Sequence, residues 1–310
     1  MKAVIIGASG QDGLILREIY SYKADLLCIS RDSMFDASGQ VSHSFGFSPS
    51  HLLNCLPEIR EFGPDLVFYL PAVHGPSTQH INLSTEFSKA RDFLDNRGLI
   101  ALLNSLDALK EPPKFFYAAS SKLYGSYCGA ADESTPFNPA CDYGVSKALA
   151  VKILESHPLA QRGNIVIGIL FHHHSRYRKG DFALSKLTEN FASGRRGRDR
   201  YIKNWSAAED FSDAYQIMNA AAFLMEGGSS GRFVLGAGKP RTLDEIRLAL
   251  IGDDVTDTHA KSPIALNTCW ASSVRLLSRE PLIQDTIVER LRTDINFLYQ
   301  NSLSNGQREY

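Results

Sequence analysis

At 310 residues, with 44% hydrophobic and 22% charged side chains, the chain can bury a large core, and a packed globular enzyme is the expectation. Its 33 basic and 34 acidic side chains nearly cancel, which excludes a global field that would draw nucleic acid or an anionic membrane. The five cysteines (Cys28, Cys55, Cys128, Cys141, Cys269) are odd in number and lack metal-type spacing, so they read as reduced thiols of a cytoplasmic protein. The apolar run of the opening MKAVIIGASG, about five residues, is too short for an export signal or a membrane span.

Residues 2–6 (KAVII) form an apolar, β-branched run that stops at a glycine loop, and Leu14, Leu16, Ile19 and Tyr20 give the next stretch a helical spacing. DLLCIS (25–30) predicts a second strand, HLLNCLPEIREFG a helix, and DLVFYLPA (65–72) a third strand. KFFYAAS (114–120) follows a helical stretch ending near Leu109, and NIVIGILF (164–171) follows a helix that begins near Tyr143. Strands alternating with helices predict an α/β protein with a Rossmann-type, doubly wound parallel sheet. From about 172 the rhythm changes. Charge-rich segments, including GRRGRDR (194–200), precede a helix near 210–226, a strand at RFVLGAG (232–238) and helices near 242–250 and 282–299. The expected division is a dinucleotide-binding domain over 1–171, with part of 210–240 returning to it, and a smaller C-terminal substrate lobe over most of 172–310.

GASGQDG places Gly7, Gly10 and Gly13 between the first strand and the first helix. Glycines there permit a tight turn and close backbone approach, so that a dinucleotide pyrophosphate can sit on the helix N-terminus. At the end of the second strand an acid would bind the ribose hydroxyls of NAD. CISRDS instead puts Ser30 and Arg31 there, and Arg31 suits a 2′-phosphate, so NADP is favoured; Asp32, one residue on, keeps NAD open. Tyr143 and Lys147 stand four residues apart on one helix face. A tyrosine exchanges a proton with a hydroxyl at neutral pH only if a neighbouring cation stabilises its phenolate, and Lys147 would supply that charge. Ser120 ends an apolar strand at the carboxyl edge of the sheet, where its hydroxyl could bind the reacting oxygen.

The sequence resembles the extended short-chain dehydrogenase/reductase family, and within it the GDP-mannose 4,6-dehydratases. The resemblance is carried by GASGQDG (7–13), PDLVFYLPA (64–72), YAASSKLYG (117–125), ESTPFNPACDYGVSKALA (133–150), GILFHHHSRYRKGDFALSKL (168–187) and RFVLGAGKPRTLDEI (232–246). It implies hydride removal at carbon 4 of a hexose carried on a nucleotide diphosphate. By position, the glycine loop (Gly7, Ser9, Gly10, Gln11, Asp12, Gly13), Arg31 with Ser33, Leu70, Pro71, Ala72, Tyr143, Lys147, His173 and Arg178 match places that hold the dinucleotide. His74, Ser121, His172 and Lys186 match places near the sugar nucleotide. It also implies a homodimer through the helices equivalent to 85–109 and 142–158.

Departures from the family pattern shape the functional expectation. Ser120 stands for a threonine, which keeps the hydroxyl, but Lys122 stands for the glutamate that moves the carbon-5 proton, and an ammonium cannot start as a carboxylate base. His172 replaces an asparagine, His174 a glutamate, Arg176 a proline, and Glu209 an arginine expected near the diphosphate. The histidines at 172–174 invite a metal reading, yet neighbours on a strand end alternate sides and no carboxylate motif accompanies them, so no metal is expected. The leading expectation is a reductase, dehydrogenase or epimerase acting at carbon 4, with Ser120, Tyr143 and Lys147 as its machinery. Two alternatives stay open: a dehydratase with altered proton chemistry at Lys122, and a non-catalytic dinucleotide-binding sensor.

Overall fold

The computed structural model describes residues 1–30, 33–36, 41–44, 51–72, 96–178, 182–195, 202, 204–206, 208–252, 268–272, 274–277 and 283–306. Its main sheet has eight strands. In spatial order they are β11 (Gly231–Leu235), β8 (Ile165–Leu170), β6 (Lys114–Ser120), β5 (Leu66–Tyr69), β1 (Lys2–Ile6), β2 (Asp25–Ile29), β3 (Ser33–Asp36) and β4 (Val41–Ser44). The first six pair in parallel, and β3 and β4 add an antiparallel edge.

The run-on apolar strands are explained by burial on both faces. On one face Ile5, Cys28, Phe68, Phe116, Val166 and Phe233 pack with Ile15 and Leu16 of helix Gln11–Tyr20 and with Ile217, Ala221 and Leu224 of helix Ala214–Glu226. On the other, Val4, Ile29, Val67, Phe115, Ile167 and Val234 pack with Leu102 and Leu106 of helix Arg97–Asp107 and with Val151 and Leu154 of helix Asp142–Ser156. Alternate residues of each strand therefore serve two separate cores. A third cluster joins Leu184 and Leu187 of helix Ala183–Ala192, Leu243 and Ile246 of helix Leu243–Ile251, and Ile287 and Leu291 of helix Ile287–Gly306.

Several short strands depart from the sequence expectation. The stretch read as a helix from 210 is a strand, β10 (Ala208–Asp213), before the helix Ala214–Glu226 begins, capped by the Asp213 carboxylate on the Tyr215 N–H. The three histidines form β9 (His172–His174), parallel to β10, with Phe211 opposite His172. β12 (Pro240–Thr242) pairs antiparallel with β10, and β7 (Gly129–Ala131) pairs with β13 (Cys269–Ala271) in a separate ribbon. Among the described residues no helix is long and apolar enough to cross a membrane.

Candidate active site

β1 carries β2 on one flank and β5 on the other, so the connections leave in opposite directions and a crevice opens at the carboxyl ends of β1 and β5. The glycine loop lines it. Gly7 and Ala8 donate their N–H groups to the Ile29 carbonyl at 2.8 and 3.1 Å, which ties the loop to the end of β2. A Cβ on Gly13 would lie 2.4 Å from the Gly7 oxygen and 2.6 Å from the Ala8 Cα, so the first helix can close onto the loop only with glycine there. This cradle fits a dinucleotide pyrophosphate: bare backbone at the start of a helix, with Ser9 and Gly10 exposed at its mouth.

Behind the loop stands a nearly buried polar network. Asp12 receives His173 Nε2 at 2.9 Å, and His173 Nδ1 lies 2.7 Å from the Phe171 carbonyl. Both ring nitrogens of His173 thus lie within hydrogen-bonding distance of an oxygen. Burial would raise the Asp12 pKa, but the charge and hydrogen bond of His173, with Arg178 and Gln11 adding to them, hold it at about 2. Gln11 extends the network by accepting the Ser175 N–H at 2.9 Å. Arg178 lies over the Phe182 ring, 4.0 Å from its centroid, and burial lowers its pKa against the pull of Asp12 and Tyr143.

Ser120 closes β6 and caps the 3-10 turn Ser121–Tyr124, its Oγ accepting the Lys122 N–H at 3.3 Å. Tyr143, at the first turn of helix Asp142–Ser156, shares a side-chain hydrogen bond with Ser120. Burial pushes its phenol up to about 12, opposed by that hydrogen bond and by the charge of Arg178. Gly144 sets this approach: a Cβ there would lie 2.5 Å from the Lys122 carbonyl oxygen, so the helix end rests directly on the turn. Lys147, one helical turn on, is buried and donates to the Ala118 carbonyl at 2.7 Å and the Pro71 carbonyl at 3.2 Å. Burial lowers its pKa to about 7 despite the opposing charge of Asp12. The phenol and the amine thus share one buried corner of the site, with Lys147 Nζ 5.8 Å from the Tyr143 ring centroid.

A looser group flanks the turn. Lys122 Nζ lies 3.9 Å from one oxygen of Glu209 and His172 Nε2 lies 3.7 Å from the other, both beyond a direct hydrogen bond. All three side chains are a little over one-third exposed. Burial raises the Glu209 carboxyl and Lys122 draws it back.

The structure therefore brings Asp12, His173, Arg178, Ser120, Tyr143, Lys147 and the Pro71 carbonyl to one end of the sheet. Leu70 is buried under the glycine loop, its Cβ 3.3 Å from where a Gly7 Cβ would stand. Ala72 is exposed beside Pro71, and Ser121 is partly buried in the turn. Ser33 is held by Ser30, hydroxyl to hydroxyl at 2.8 Å, where β2 passes into β3. Lys186 stands partly buried on helix Ala183–Ala192. Arg31, Asp32, His74 and most of GRRGRDR lie outside the described residues. Among those described, no three His, Cys, Asp or Glu side chains are grouped to hold a metal ion. The Asp12–His173 pairing and the seat of Gly144 went unread in the sequence, because each joins segments whose proximity only the sheet order creates.

The sequence profile of GDP-mannose 4,6 dehydratase matches residues 59–264. The chain belongs to that family, a group of nucleotide-sugar-modifying enzymes of the extended short-chain dehydrogenase/reductase type. It is 26% identical to GDP-mannose 4,6-dehydratase of Yersinia enterocolitica over 79% of this chain and 69% of that protein. Two solved structures share the fold: RMD from Pseudomonas aeruginosa complexed with NADPH (TM-score 0.71, 19% identity, 97% of this chain, 98% of that one) and MoeE5 in complex with UDP-glucose and NAD (TM-score 0.73, 18% identity, 98% of this chain, 100% of that one).

Proposed function

We propose that the protein is an NAD(P)-dependent enzyme that transfers hydride at carbon 4 of a nucleotide-diphospho-hexose, GDP-linked, as a reductase, dehydrogenase or epimerase. The observation that carries this reading is the Ser120–Tyr143 hydrogen bond beside the buried Lys147 at the carboxyl edge of the sheet. The glycine loop would hold the pyrophosphate, with Asp12, His173 and Arg178 fixing its far wall, and the bound nicotinamide supplies the hydride acceptor. In the oxidative direction the sugar hydroxyl proton passes to Tyr143, whose phenolate the Lys147 ammonium favours, while Ser120 orients the sugar oxygen. In the reductive direction Tyr143 returns the proton. Arg31 supports a preference for NADP over NAD, which comparison of NADPH and NADH dissociation constants tests.

The substrate side favours simple hydride chemistry over dehydration. At Lys122, where the family resemblance puts a glutamate, an ammonium faces Glu209, so proton removal from carbon 5 lacks its base. His172, Ser121 and Lys186 are assigned to the sugar nucleotide, and residues 172–310, less the part that returns to the main sheet, to the lobe that binds it. The exposed apolar side chains Ile100, Val145 and Leu149 on helices Arg97–Asp107 and Asp142–Ser156 support a homodimer. Light scattering that gives a strict monomer removes that assignment.

The deciding experiment incubates the protein with GDP- and UDP-hexoses and either nicotinamide, following cofactor absorbance and product mass. A two-hydrogen change, or inversion at carbon 4, is expected. Loss of one water would restore the dehydratase reading. Tyr143→Phe that abolishes turnover while biological output persists would favour the dinucleotide-sensing scaffold.

A further inference from the structure

Lys147 is buried, and among the described residues no carboxylate makes an ion pair with it, surroundings unusual for an ammonium. Two of its three donors go to the Ala118 and Pro71 carbonyls, and its Nζ stands 4.7 Å from the centroid of the Tyr117 ring. Tyr117 is itself buried in β6, directly across from Tyr69 of β5 in the parallel register. The two rings stack, with centroids 5.7 Å apart and planes 20° from parallel. Lys147, Tyr117 and Tyr69 therefore form a column that runs from helix Asp142–Ser156 into the sheet, and the Tyr143 ring centroid lies 5.8 Å from the same nitrogen. Burial raises both Tyr69 and Tyr117 above their ordinary pKa, so each stays a neutral phenol, and Tyr117 presents its ring to the ammonium while Tyr69 backs it. The negative face of an aromatic ring favours a cation, most strongly where water is excluded.

We propose that Tyr117 is a positioning residue for Lys147: its ring face, backed by Tyr69, holds the ammonium charged and in place beside Tyr143. This rests on the hydride-transfer reading for its functional consequence, but its physical content concerns the lysine alone. Among the described residues, the groups facing Lys147 are Tyr143 on its own helix, Tyr117 on β6, the Ala118 and Pro71 carbonyls, and the charge of Asp12 from the first helix. Removing the ring face leaves burial less opposed, so the ammonium deprotonates at lower pH. A desolvated cation–ring contact corresponds to a downward shift of about one pH unit.

The test labels the full chain with lysine ¹³C at Cε and follows Lys147 by NMR as pH is raised, the resonance being assigned by its loss in Lys147→Arg. Tyr117→Phe keeps the ring and is expected to titrate within a few tenths of a unit of the parent, by about the same criterion. Tyr117→Met fills the space without a ring and is expected to titrate about one unit lower. Pentafluorophenylalanine at 117 keeps the shape of Phe while reversing the charge of its face, so it covers the case in which the Met variant does not fold; it too is expected to titrate lower. With a sugar nucleotide that turns over, the alkaline limit of kcat moves down in step. Equal titration in the Phe and pentafluoro forms overturns the proposal, as does a Phe shift as large as the Met shift. Neither outcome depends on turnover, so failure of every sugar nucleotide to reduce the cofactor overturns the hydride reading and leaves the lysine titration to stand or fall by itself.

Discussion

The two halves of the site are built to different standards. Behind the glycine loop, Asp12, His173, Gln11 and Ser175 are joined by hydrogen bonds of 2.9 to 3.2 Å in places that are mostly or wholly buried. Beside the turn Ser121–Tyr124, Lys122 and His172 face Glu209 at 3.9 and 3.7 Å with more than a third of each side chain in solvent. A buried pair must be satisfied in one arrangement or it costs several kcal/mol, whereas an exposed pair costs almost nothing to loosen or exchange. The contrast teaches where the fold fixes one arrangement of side chains and where it leaves them free to exchange.

The largest effect expected along that line is on the proton path. Tyr143→Phe keeps the ring but removes the hydroxyl bonded to Ser120, and turnover is expected to fall by roughly 10²- to 10⁴-fold, read from nicotinamide absorbance; an unchanged rate would remove Tyr143 from the mechanism. Next comes Asp12→Asn. The Asp12 pKa is lowered from 3.8 to about 2, so the ionised carboxylate favours the folded state by about 2 kcal/mol at neutral pH. Because the folded pKa is the lower one, that contribution is present above about pH 4 and disappears as pH falls towards 2. Thermal unfolding should show the variant below the parent at pH 7 and level with it at the acid end. A constant gap across that range would mean that the pair does not set the difference.

Gly144→Ala ranks third. The added methyl meets the Lys122 carbonyl at 2.5 Å, and the helix end has to lift off the turn, at a cost of roughly 1–3 kcal/mol and with loss of the Ser120–Tyr143 geometry. A lower melting temperature together with a lower kcat is expected; a fall in stability alone would show that the two contacts are independent. The smallest effect belongs to the looser side. Lys122→Glu and Glu209→Lys should each change stability by under about 1 kcal/mol, with the double exchange recovering most of it. A coupling well above that, insensitive to salt, would place this pair with the buried network instead.

The alternation of apolar runs with helical spacings made the parallel sheet readable, because each core strand is buried on both faces and carries a continuous apolar signature. β10 escaped that logic. Asp210 is fully buried in it, and its carboxylate accepts the N–H groups of Ala237, Gly238 and Ala271, so a charged residue sits where periodicity expects an apolar one. The hairpin of β3 and β4 lies at the sheet edge, where short strands need little apolar content. Within the site, the glycine loop, Ser120, Tyr143 and Lys147 were legible from residue type and spacing. The His173 partner of Asp12 and the Tyr117 face behind Lys147 were not, since each depends on which strands end side by side.

The Asp12–His173 contact links positions 161 residues apart. A ribosome making this chain releases the glycine loop first and the imidazole that braces it only after more than half the sequence has emerged. Until β9 docks, Asp12 is an ordinary solvated carboxylate at the start of a helix, where a phosphate would also want to be. A nascent or truncated chain that stops before His172 therefore carries the glycine loop without the imidazole that pairs with Asp12.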